Sequence, residues 1–92
     1  MIWSNRNWHR HAKGNVGRIE ALLNQTLAEL RREDRPRDMD YCISHWEAGL
    51  AGTFVIKSPQ RFNEAKTIYT AMCVAWPGEP RIKSLRDQLM QW

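Results

Sequence analysis

The chain has 92 residues, 42% of them apolar and 26% charged, with a formal charge of +4 and a pI near 9.5. That composition excludes global disorder and fits one small domain, residues 1–92, with a limited core. No apolar run is long enough to cross a membrane, and the N-terminus MIWSNRNWHRHAKG lacks the apolar centre of a secretory signal, so a cytoplasmic protein is expected.

Residues 1–15 read as an arm or short extended segment. Within it, Trp3 and Trp8 stand among His9, Arg10, His11 and Lys13. Gly14 and Gly17 bracket a helix start with Asn15 as cap, so the helices are expected within 16–92. The first is expected from Val16 to Glu33. Val16, Ile19, Leu22, Leu23, Leu27 and Leu30 form its stripe. Arg18, Gln25, Glu29 and Arg32 are expected to meet water, with Glu29 and Arg32 paired across one turn.

Arg31 to Asp38, RREDRPRD, mixes charges and reads as a solvated turn; Pro36 disfavours helix at Arg35. Asp38 is the candidate cap of a second helix with the apolar face Met39, Cys42, Ile43, Trp46 and Leu50. Gly49 and Gly52 could stop it and leave Thr53–Ile56 as a strand. Phe54, one turn beyond Leu50, favours helix to about Val55.

Ser58 and Pro59 suit the cap and first position of a third helix. Phe62, Ala65, Tyr69, Met72 and Trp76 follow at steps of three and four, widened by Ile68 and Cys73. Pro77-Gly78-Glu79-Pro80 then turns the chain. This clean stretch is expected to be the element the others pack around. A fourth helix from Pro80 or Arg81 to the end carries Ile82, Leu85, Leu89 and Trp92. The fold class expected is all-α: a small bundle of about four amphipathic, antiparallel helices with a basic and aromatic N-terminal arm.

Ala65, Tyr69 and Pro77, with Phe62 ahead of them, resemble the second half of a tetratricopeptide repeat. Met72 stands where that family has its second small residue. The resemblance spans Asp40 to Pro77. It implies a helical hairpin capped by the first and fourth helices, and a role in binding peptides or helices of other proteins.

Chemistry-bearing residues are sparse. His9, His11, Cys42 and His45 are zinc-ligand types, but their spacing matches no finger, so no metal and no cofactor are expected. Cys42 and Cys73 are expected as free thiols. No phosphate-binding glycine loop, HExxH or GxSxG is present, and no enzyme is expected. The expected function is protein binding as an inhibitor, adaptor or chaperone. Trp3, Trp8, His9, Arg10, His11 and Lys13 supply the contact, because Trp beside Arg is the composition of interface anchors. The alternative is nucleic-acid binding by the same arm, with Arg31, Arg32, Arg35 and Arg37 as a second basic cluster. A second copy of the chain is a further candidate partner, with Trp3 and Trp92 otherwise closing the ends of the core.

Overall fold

A computed structural model describes the backbone of residues 5–92 and the side chains of residues 16–92. Helix α1 spans Asn5–Leu30, α2 Met39–Ile56 and α3 Pro59–Ala75. Two short helical turns follow, α4 at Pro80–Lys83 and α5 at Arg86–Leu89. No strand occurs among the described residues, and the elements form the expected small all-α bundle.

Helix α1 starts earlier than its glycines suggest. It runs unbroken through Gly14 and Gly17, which corrects the expected arm over its residues 5–15 and the expected cap at Asn15; residues 1–4 of that arm lie outside the described residues. A glycine inside a helix costs about 1 kcal/mol relative to alanine, which weakens a helix without ending it. The chain holds no proline before Pro36 to impose a stop. At its other end α1 closes at Leu30, short of Glu33, where the Arg37 Nε–H donates to the Leu30 carbonyl at 2.7 Å.

The caps of α2 and α3 are those the sequence predicts. Asp38 accepts from the Tyr41 N–H at 3.0 Å, and Ser58 accepts from the Arg61 N–H at 3.2 Å ahead of Pro59. Helix α2 continues through Thr53–Ile56 and ends on Lys57 in the left-handed conformation, φ 53°. Thr53 is fully buried and its hydroxyl donates to the Gly49 carbonyl at 2.8 Å, which settles this stretch as helix. After α3, Gly78 adopts φ 77°, a conformation open to glycine at little cost, and Glu79 caps α4.

The expected single fourth helix is divided at Ser84 and Leu85. Leu85, Asp87 and Gln88 donate to carbonyls three residues back, at 3.0, 3.2 and 3.1 Å. This tighter winding eclipses side chains three apart. It brings Ile82 and Leu85 onto one line, and both are buried.

Helix α2, not α3, is the hub. Cys42 lies against Thr26, Gly49 against Leu23 and Gly52 against Ile19, so α1 and α2 are antiparallel. Trp46 meets Ala65 and Phe54 meets Phe62, so α2 and α3 are antiparallel too. The C-terminal segment runs parallel to α2, joined by Arg81 to Asp40 and by Gln88 to Glu47. Trp46 fills the centre with no exposure, and its indole N–H donates to the Ala65 carbonyl at 2.9 Å. Ile19, Leu23, Leu50, Ile68 and Met72 complete the core around it.

Candidate functional site

Trp3 lies outside the described residues. Trp8, His9, Arg10, His11 and Lys13 belong to α1 by their backbone, and their side chains lie outside the described residues. Trp8, His9, Arg10, His11 and Lys13 thus belong to the same helix that forms one wall of the groove described below.

The second basic cluster is largely spent inside the fold. Glu29 is buried, not solvated, and its partner is Arg35 rather than Arg32. The Arg35 guanidinium spans both carboxylate oxygens at 2.9 and 3.0 Å, and the Asp38 N–H donates to the same carboxylate at 2.8 Å. The sequence pattern missed this because the turn folds back over the end of α1. A position that faces water on an isolated helix is thereby covered. The Asp38 N–H, and next the Arg35 guanidinium, outweigh burial and hold the Glu29 carboxyl below its ordinary pKa. Arg32 is paired with Asp34 at 2.6 Å, and Arg37 is held on the Leu30 carbonyl. Of the four arginines, Arg31 and Arg37 have no ionic partner among the described residues, and Arg31 alone makes no side-chain hydrogen bond there. Two of the four are thus in ion pairs and a third is bonded to a main-chain carbonyl.

An open groove of about 730 Å3 lies between α1 and α3. Leu23, Leu27 and Ile68 make its floor; Asn24, Asn63 and Thr67 are among the polar residues that flank it. Leu23 and Ile68 belong to the core and are almost wholly buried, so half-buried Leu27 supplies most of the aliphatic side-chain surface left open on the floor. The groove exists because the facing positions on α3 are short and polar. Asn63 and Thr67 bond along their own helix, with the Thr67 hydroxyl donating to the Asn63 carbonyl at 3.1 Å, and do not cover Leu27. Arg31 stands at the C-terminal end of the α1 wall, and Glu64 on the α3 wall is neutralised by Arg61 at 2.6 Å. The apolar periodicity of α1 places Leu27 in the core stripe, whereas the structure leaves it half-buried; Ile68 is core as expected. The missed signal was Asn63 and Thr67, polar residues at the spacing that flanks Ile68.

The remaining candidates have bonding roles within the fold. Cys42 has no exposure; its thiol points toward the Thr26 carbonyl at 3.9 Å, and burial, with Glu29 nearby, pushes its pKa up to about 11. His45 stacks on Tyr41 at 3.8 Å between ring centroids, with Nδ1 2.8 Å from the Tyr41 carbonyl oxygen. Among the described residues no three His, Cys, Asp or Glu side chains gather as a metal site, and both cysteines are free. Trp92 is 49% exposed but stacks on Phe62 at 4.5 Å, with Phe54 at 5.8 Å, so it closes one end of the bundle.

No protein-family model, no curated protein and no solved structure matches the chain. None of its described helices is long and apolar enough to cross a membrane.

Proposed function

We propose that this chain is a non-enzymatic accessory factor that binds another protein, as an inhibitor, adaptor or chaperone. The observation that carries the reading is the α1–α3 groove, an open, apolar-floored channel beside a small core. Apolar surface left in a concave channel with a polar flank is a common form of recognition site. The spending of Arg32, Arg35 and Arg37 on internal bonds weighs against the nucleic-acid alternative. Trp8, His9, Arg10, His11 and Lys13 are proposed to extend the contact surface along α1, and Trp3, ahead of them in sequence, is proposed to join it. A tetratricopeptide-like unit over Asp40–Pro77 is part of the same proposal, supported by the antiparallel packing of α2 on α3. A cytoplasmic setting accords with two free cysteines in a chain of this size.

The test is a pull-down with the tagged full chain, run with and without nuclease and washed at low and high salt. A discrete protein that survives both supports the reading. Nucleic acid that elutes steeply as salt rises, with no protein retained, overturns it, because counterion release dominates that kind of binding.

A further inference from the structure

We infer that the α1–α3 groove receives one amphipathic helix of a partner protein, with an acidic side chain of that helix against Arg31. This rests on the protein-binding reading above. It goes further by naming the shape and charge of the bound element.

The dimensions suit a helix. Leu23 to Arg31 on one wall and Gln60 to Ile68 on the other each span eight helical steps, about 12 Å at 1.5 Å per residue. Two to three turns of a guest helix fill that length. The chemistry excludes the other common modes of peptide capture. An extended peptide needs a free sheet edge to satisfy its backbone, and no strand exists among the described residues. A polyproline segment docks on aromatic rings, and among the described residues no aromatic side chain lines this groove. A helix satisfies its own backbone, so it can lie on the apolar floor around Leu27 without stranding polar groups. Asn24, Asn63, Gln60 and Thr67 then meet the polar flanks of the guest.

Charge selects the guest. Glu64 is already neutralised by Arg61, so the groove carries one uncompensated cation, Arg31. The chain as a whole is +4, which also favours an acidic partner on approach. A second copy would bring the same charge to the same cation and is disfavoured.

The probe is a displayed library of helical peptides about four turns long. Apolar residues occupy positions i, i+3, i+4 and i+7, and the flanking positions are randomised among charged and polar types. The full chain should enrich peptides with an acidic residue beside one end of the apolar stripe. Leu27→Asp on one wall and Thr67→Arg on the other should each weaken those peptides by about tenfold or more. Leu27 is half-buried and Thr67 is exposed, so helix content and thermal midpoint serve as the folding control. Arg31→Glu should reverse the selected charge from acidic to basic. Three results overturn the inference: no enriched helix, equal binding by both wall variants, or an acidic preference unchanged in Arg31→Glu. A self-association of the chain that Leu27→Asp abolishes also overturns it, since the occupant is then a second copy. A lysate protein that binds wild type and Leu27→Asp equally removes the groove but leaves the protein-binding reading standing.

Discussion

Arg35 closes on the buried carboxylate of Glu29 with two guanidinium nitrogens, at 2.9 and 3.0 Å, and so ties the turn after α1 back onto the end of that helix. The Asp38 N–H adds a third bond to the same group. Glu29 therefore fixes the residue that caps α2. Because its folded pKa lies below the unfolded value, the stability it supplies is present above the unfolded pKa. It is lost as pH falls through the folded one. Glu29→Gln should lower the urea midpoint at about pH 7, and the gap to wild type should shrink on going to about pH 3. A gap independent of pH would show that the charge of Glu29 contributes nothing to the fold.

Trp46 is the largest side chain with no exposure, and its N–H reaches across to the Ala65 carbonyl. Trp46→Phe removes that bond and part of the packing, with an expected loss of about 1–3 kcal/mol. Trp46→Ala leaves a cavity at the meeting point of the helices, and about 3–5 kcal/mol is expected. Urea unfolding followed by circular dichroism reads both. A near-neutral Trp46→Ala would mean that α2 is not the hub.

The helical bundle was legible because its signals are local. Ser58-Pro59, Asp38 and the Pro77–Pro80 turn act through neighbouring atoms, and each sits where the sequence places it. Glu29 and the groove were not legible. The burial of Glu29 depends on Arg35 and Asp38 returning over the helix end, a geometry that periodicity within α1 does not contain. The exposure of Leu27 depends on which residues of α3 come opposite it, and the sequence does not specify that pairing. The start of α1 was misplaced for a different reason. Gly14 and Gly17 read as bracketing a helix start, while a glycine in a long helix is only a weak spot.

The two cysteines should separate kinetically. Cys42 has no exposure and its thiol titrates near 11, so little thiolate exists at about pH 8 and none is accessible. Cys73 is only half-buried. A thiol-reactive disulfide reagent should modify Cys73 in the native protein and Cys42 only after urea is added. Equal rates would show that the α1–α2 seam opens readily in the native state.

Gly52 is the point where α1 and α2 approach without room for another carbon. A Cβ there would lie 2.5 Å from Cγ1 and 2.9 Å from Cδ1 of Ile19. Ile19 is β-branched, stiff in a helix and buried, so it cannot swing clear at low cost. Two effects oppose each other in Gly52→Ala. Better helix propensity contributes about 1 kcal/mol, whereas overpacking costs about 1–3 kcal/mol. The clash should win, and the variant should be less stable than wild type. In an Ile19→Ala background the obstructing atoms are gone, so only the propensity gain remains and Gly52→Ala should become stabilising. The reversal of sign across the double-mutant cycle is the diagnostic, since two independent sites would simply add. If Gly52→Ala is stabilising in both backgrounds, the helices stand further apart at this crossing than the Ile19–Gly52 contact requires.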